Sequence, residues 1–112
     1  MDRIAIEGGS PLFGDIPVSG AKNSAIKLMA ASLLTSEPVR LTNMPRLADT
    51  RLLGRLLTRF GTQITESDGP DGQQTLLHTP EITSAFAPYD LVRQMRASFN
   101  VLGPLIARTG HA

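Results

Sequence analysis

The sequence has no cysteine, so it can form neither a disulfide nor a thiolate metal site, and it offers no thiol nucleophile. It also lacks an excess of either charge: 11 basic residues face 10 acidic ones, for a formal net charge of +1. A general nucleic-acid-binding protein is usually far more basic. No apolar run is long enough for a secretory signal or a membrane span. We therefore expect a cytoplasmic protein, without nucleic-acid or membrane partners, that binds any anion through local groups.

Aromatic residues are also scarce, at 4% of the chain. Arg51, Arg55 and Arg59 recur every four residues in a predicted helix, but no aromatic stacking platform accompanies them. We interpret them as the solvated face of an amphipathic helix, not as a phosphate-binding surface. The predicted apolar face of this helix consists of Leu52, Leu53, Leu56, Leu57 and Phe60. His78 and His111 lack the neighbours that a metal site or a catalytic triad needs. No metal and no cofactor are expected.

Strand-like and helix-like patterns alternate along the chain, which predicts an α/β (α+β) fold. Glycine and proline mark the breaks between the elements. The predicted helices start at Ala21 and at Asp49, taken as an N-cap, and a third helical stretch leads to a stop at Gly110. The predicted strands cover residues 3–9, 11–20, 39–44, 62–65 and 74–79, and the predicted helices cover residues 21–34, 49–61 and 91–109 with a break at Pro104. The polar turn "ESDGPDGQ" between the last two strands predicts a hairpin, because it contains glycine and proline.

Both lysines of the chain, Lys22 and Lys27, lie in the first predicted helix. If Ser19 is the N-cap, Lys22 occupies the position where a capping box has Glu or Gln. A cation is unfavourable at a helix N-terminus unless an anion lies between the two. Gly20 leaves the backbone accessible and Asn23 adds an amide donor, so the pattern predicts a phosphate or carboxylate site. The alternative is a solvated Lys22, and we interpret Lys27 as solvated or salt-bridged.

The stretch "SGAKNSA", residues 19–25, resembles the signature of the UDP-N-acetylglucosamine enolpyruvyl transferases, within the enolpyruvyl transferase family. The resemblance continues through "LMAASLLTSEPVRLTNMPRLADT" and "APYDLVRQMRASFNVLGPLIAR", so it covers nearly the whole chain. The sister enzyme of aromatic amino-acid synthesis usually carries a "GSKS" type of motif here. "GAKN" therefore favours the cell-wall branch of the family.

This resemblance implies a transferase of peptidoglycan synthesis, with roles in cell-wall biogenesis, cell shape and cell division. Its substrates are phosphoenolpyruvate and UDP-N-acetylglucosamine, and the enolpyruvyl group moves to the 3-hydroxyl with release of phosphate. Lys22 resembles the lysine that contacts phosphoenolpyruvate, which gives it a catalytic and substrate-binding role. Asn23 resembles the asparagine beside it, and Arg96 in "MRAS" resembles an arginine that lines the cleft. Where the family often has proline, this chain has Ile26 and Lys27.

The architecture implied by the resemblance is two similar domains, each an inside-out α/β barrel of three repeats. Residues 1–21 would then be strands of the first domain and residues 22–112 a partial second, N-terminal catalytic domain. The family's loop with a Cys or Asp general acid has no counterpart here, so we expect an incomplete barrel that is inactive alone. Exposed apolar faces predict self-association. The alternative is a self-standing small α/β module that binds an anion or serves a structural role without catalysis.

Overall fold

The structure, a computed structural model, describes residues 2–112 and is built from short helices around a small sheet. Two 3-10 segments, Ser32–Leu34 and Arg96–Val101, supplement the α-helices. The elements are helices α1 (Lys22–Ala31), α2 (Ala48–Arg59), α3 (Tyr89–Val92) and α4 (Leu102–Thr109), and strands β1 (Val39–Leu41), β2 (Gln63–Gly69) and β3 (Gly72–His78). The predicted mixed α/β class is confirmed.

The sheet has the strand order β1-β3-β2, and both strand pairs are antiparallel. Because β1 and β2 each run antiparallel to the central strand, they are parallel to each other, and α2 connects them as a split β-α-β unit. Strands β2 and β3 form the predicted hairpin, and its turn consists of Pro70 and Asp71. Leu77 in β3 lies opposite both Val39 and Ile64, so the central strand sets the register of both edges.

The core lies between the two long helices and the sheet. Helix α1 packs against α2 and against the 3-10 segment Arg96–Val101, while α4 packs against Ser32–Leu34. In α2 the predicted apolar face is buried and the three arginines opposite it are exposed, as their spacing indicates. The buried apolar residues are Ala25, Ile26, Met29, Ala30, Leu33, Met44, Leu53, Leu56, Leu57, Phe60, Leu77, Met95, Val101 and Leu105.

Polar contacts tie the last helix to the rest of the fold. The guanidinium of Arg108 donates to the carbonyl oxygens of Leu33 at 3.1 Å, Thr35 at 2.9 Å and Pro80 at 2.9 Å. Helix α4 ends at Gly110, whose φ of 81° gives the left-handed C-cap expected of that glycine. The end of α4 is therefore hydrogen-bonded to the segments that follow α1 and β3.

The predicted strands over residues 3–9 and 11–20 do not form in the structure, where residues 2–20 contain no strand. Their alternating apolar side chains, from Ile4 at 91% to Val18 at 84%, are almost fully exposed. A strand is stable only when an adjacent strand satisfies its N–H and C=O groups, and none of the strands in residues 2–112 pairs with this segment. The division into residues 1–21 and 22–112 stays a prediction.

Helix starts and one strand end also differ from the sequence prediction. The N-cap of α1 is Ala21, not Ser19, and the N-cap of α2 is Leu47, not Asp49. Strand β1 ends at Leu41 because Asn43 turns the chain with a φ of 53°. Within residues 2–112, no helix has the length and apolar character that crossing a membrane requires.

Leu33 and Leu34 provide a matched test of this core. Leu33 is fully buried, whereas Leu34 is 57% exposed in the same 3-10 segment. Leu33→Ala should lower the free energy of unfolding by about 2–5 kcal/mol, because the cavity adds to the lost transfer free energy. Leu34→Ala should change it by less than about 0.5 kcal/mol. Urea unfolding of the 112-residue chain, followed by circular dichroism, measures both. Equal costs would contradict the packing described above.

Candidate functional site

The N-terminus of α1 is open and exposed. Ala21 has extended dihedrals (φ −74°, ψ 139°), no side chain caps the helix, and no acidic residue lies in its first turn. The first N–H groups of an α-helix have no acceptor within the helix, so the amides of Lys22, Asn23 and Ser24 need partners from elsewhere. All three residues are exposed. This helix end therefore presents its partial positive charge to an outside group.

A close backbone approach fixes where α1 begins. The N–H of Gly20 donates to the carbonyl oxygen of Asn43 at 3.0 Å, and the Asn43 side-chain amide donates to the carbonyl oxygen of Val18 at 3.2 Å. A Cβ on residue 20 would lie only 2.3 Å from that Asn43 oxygen. Residue 20 must therefore be glycine for this approach to exist.

The loop that carries Asn43 is supported by the end of the β2–β3 hairpin. The N–H of Met44 donates to the carbonyl oxygen of Gln73 at 2.9 Å. Arg46 donates through Nε to the Gln73 side chain at 3.0 Å, and it also pairs with Asp68. The start of α1 is thus connected through this loop to the sheet.

Lys22 faces a carboxylate of its own chain. Its Nζ lies 3.0 Å from Oδ2 of Asp49, with the two side chains 52% and 38% exposed. Asp49 is the second residue of α2, after the N-cap Leu47, and a carboxylate in the first turn of a helix is favourable. Thr50 stabilises this turn, since its hydroxyl accepts from the Leu47 N–H at 3.4 Å and donates to the Leu47 carbonyl oxygen at 2.9 Å. Lys22 is therefore ion-paired, an arrangement that the sequence did not predict.

The other predicted site residues lie on the surface. Asn23 is exposed beside Lys22, and Arg96 is exposed at the start of the 3-10 segment that packs against α1. Within residues 2–112, neither Arg96 nor Lys27 forms an ion pair, whereas Arg93 pairs with Asp90 at 3.4 Å. Lys22 and Asn23 are neighbours in the first turn of α1, and the 3-10 segment that begins with Arg96 packs against this helix. Their roles toward a substrate stay predictions.

No metal centre is apparent in this region. Across the part of the chain that the structure describes, no group of three or more His, Cys, Asp or Glu side chains could hold a metal ion. The groups available at the start of α1 are an ammonium, a side-chain amide and backbone N–H groups. These groups donate hydrogen bonds and attract negative charge, so the arrangement is suited to binding an anion.

Comparison with known proteins identifies the family. The model of the family described as EPSP synthase (3-phosphoshikimate 1-carboxyvinyltransferase) matches residues 6–112, nearly the whole chain. The chain belongs to the EPSP synthase family. The enolpyruvyl transferase family expected from "SGAKNSA" is thereby confirmed.

Individual relatives refine this assignment. The UDP-N-acetylglucosamine 1-carboxyvinyltransferase of Caulobacter vibrioides (strain NA1000 / CB15N) is 84% identical over all 112 residues of this chain, which correspond to 26% of that protein. The protein of the same name from Maricaulis maris (strain MCS10) is 66% identical over the same 112 residues, again 26% of its length. The chain thus spans about a quarter of the length of these relatives.

A solved structure supports the same family. The crystal structure of the enolpyruvyl transferase NikO from Streptomyces tendae matches with a TM-score of 0.73 and 33% sequence identity. The match covers 92% of this chain and 23% of the NikO chain. The chain therefore has the fold of part of an enolpyruvyl transferase.

Two residues of this region were not identified from the sequence. Asn43 was assigned to a strand, although asparagine tolerates the left-handed region that its φ of 53° requires. Asp49 was interpreted as an N-cap, although it lies one residue inside the helix and pairs with Lys22. An acidic residue at the start of one helix and a lysine at the start of another predict an ion pair only weakly, because the packing of the two helices decides whether the side chains meet.

Gly20→Ala tests the contact that fixes α1. We expect it to lower the free energy of unfolding by about 1–3 kcal/mol, because a Cβ 2.3 Å from the Asn43 oxygen forces the backbone apart. Gly8→Ala is the matched control: nothing lies within 4 Å of a Cβ at that position, so its effect should stay within about 0.5 kcal/mol. Urea unfolding of both variants provides the comparison. A Gly20→Ala variant as stable as Gly8→Ala would show that the approach is dispensable.

Proposed function

We propose that this chain forms the Lys22-bearing part of the active site of an enolpyruvyl transferase. The reaction moves the enolpyruvyl group of phosphoenolpyruvate to the 3-hydroxyl of UDP-N-acetylglucosamine and releases phosphate. The observation that carries the proposal is the exposed, uncapped start of α1, where Lys22 and Asn23 lie side by side. Such a helix end favours an anion, and phosphoenolpyruvate carries both a phosphate and a carboxylate.

The names of the relatives support the reaction class and the acceptor. The family description and the Caulobacter and Maricaulis relatives all name a 1-carboxyvinyltransferase, and these relatives name UDP-N-acetylglucosamine as the acceptor. The "GAKN" motif at residues 20–23 also favours the cell-wall branch of the family. A role in peptidoglycan synthesis, with its consequences for cell shape and division, and a cytoplasmic location belong to the same proposal.

Each residue has a distinct part in this proposal. Lys22 places a cation against the substrate anion, and Asn23 donates a side-chain amide hydrogen bond to it. Arg96 lines the cleft, and the packing of its segment against α1 supports this role. Pre-oriented donors of this kind stabilise charge that develops as the tetrahedral intermediate forms and loses phosphate. The acid and base of the reaction are not assigned to residues of this chain.

The chain should be inactive alone and active as part of a longer enzyme. We expect no phosphate release when the isolated chain is incubated with phosphoenolpyruvate and UDP-N-acetylglucosamine, because these donors bind and orient but do not transfer protons. A chimera in which this chain replaces the matching 112 residues of the Caulobacter vibrioides enzyme should release phosphate. A colorimetric phosphate assay measures both.

An active isolated chain or an inactive chimera would each contradict the proposal. Turnover by the isolated chain would favour a self-standing enzyme. A folded but inactive chimera would favour the alternative module without catalysis, whose core would include the fully buried Leu33, Leu53, Leu57 and Phe60.

Lys22→Ala in the active chimera tests the anion site. We expect kcat/KM for phosphoenolpyruvate to fall about 100-fold or more, the loss typical of removing one donor that stabilises transition-state charge. Lys27→Ala is the matched control, because Lys27 lies on the same helix, is exposed and forms no ion pair among residues 2–112. It should leave kcat/KM within about twofold. Equal kinetics for the two variants would refute the assignment of Lys22.

A further inference from the structure

Asp49 is the residue of this region to which neither the family resemblance nor the comparisons give a function. Its carboxylate lies 3.0 Å from the ammonium of Lys22 and bridges the starts of α1 and α2, two helices that pack together. We propose that Asp49 is a positioning residue that holds Lys22 ready for phosphoenolpyruvate. This inference rests on the proposed function.

Asp49 is held more firmly than the lysine it contacts. It lies in the first turn of α2, where the Thr50 hydroxyl bonds back to Leu47 and the nearby Leu53 is fully buried. The α2 N-terminus also favours the charge of its carboxylate. Lys22, by contrast, has a long flexible stem and is 52% exposed. The ion pair therefore restricts mainly the lysine, which reduces the conformational entropy that substrate binding must otherwise remove.

The pair leaves Lys22 able to bind a substrate. A lysine ammonium has three N–H donors, and one suffices for the Asp49 contact. The carboxylate also offsets the repulsion between the ammonium and the positive end of α1 while no substrate is bound. Asp49 thus orients Lys22 without using all of its donors, and the substrate anion can occupy the remaining ones.

The test uses the active chimera and the KM for phosphoenolpyruvate. Asp49→Asn should raise this KM about five- to tenfold while kcat changes less than about threefold, because an orientation lost before binding weakens ground state and transition state alike. Asp49→Glu, which keeps the carboxylate, should return the KM to within about threefold of the parent. Asp90→Asn is the matched control, since Asp90 is also a first-turn acid that pairs with a cation, Arg93. It should leave the KM unchanged.

A double mutant separates positioning from a purely structural role. If Asp49 acts through Lys22, Asp49→Asn should have almost no further effect in a Lys22→Ala background. Additive losses, or an Asp49→Asn KM that is unchanged or lower, would overturn the inference. Equal urea midpoints for Asp49→Asn and the parent chimera exclude unfolding as the cause. Lys22→Ala with parental kinetics would overturn the proposed function itself, whereas a damaging Lys22→Ala with a silent Asp49→Asn overturns only the inference.

Discussion

The contact between the backbones of Gly20 and Asn43 determines the geometry on which the whole candidate site depends. The Gly20 N–H lies 3.0 Å from the Asn43 carbonyl oxygen, which places the segment before α1 directly against the loop after β1. This approach leaves no room for a Cβ at residue 20. That loop is in turn bonded to the β2–β3 hairpin through Met44 and Gln73. The sheet therefore orients the first turn of α1 through this loop, although α1 itself is not part of the sheet.

This constraint has an electrostatic consequence. The start of α1 is fixed beside the loop that leads into α2, and the first turns of the two helices lie close enough for Lys22 to pair with Asp49. Both ends carry partial positive charge, and the Lys22 ammonium adds a full one. The Asp49 carboxylate is the anion that the fold supplies there. The anion beside Lys22 in the structure thus comes from within the chain, and the substrate anion that the sequence argument places there stays a prediction.

Local sequence patterns predicted most of the helices and strands, whereas contacts between distant residues decided the features that the sequence did not predict. The spacing of leucines and arginines defined α2, and "ESDGPDGQ" defined the hairpin, because periodicity and turn chemistry act within a few residues. The strands expected over residues 3–9 and 11–20 did not form, because alternation creates a strand only where a partner edge exists. Both N-caps differed by two residues, and for α1 the reason is that a backbone approach, not side-chain capping, fixes where the helix starts. Helix electrostatics predicts a site role for Lys22 and Asn23, which stays a prediction, whereas the pairing of Asp49 with Lys22 was not predictable because only packing brings the two together.

The strength of the Lys22–Asp49 pair determines whether it helps or hinders an incoming anion. An ion pair between partly exposed side chains contributes about 0–1 kcal/mol after solvent screening, similar to the roughly 0.3–1 kcal/mol by which a helix N-terminus disfavours a cation. The two effects nearly cancel, so the pair restricts the lysine without trapping it. A phosphate or carboxylate that reaches the ammonium and the free N–H groups of α1 together can gain from both, and in a water-poor cleft these attractions become stronger. A weak internal pair at an open helix end is therefore better suited to substrate binding than either a strong buried pair or a fully solvated lysine.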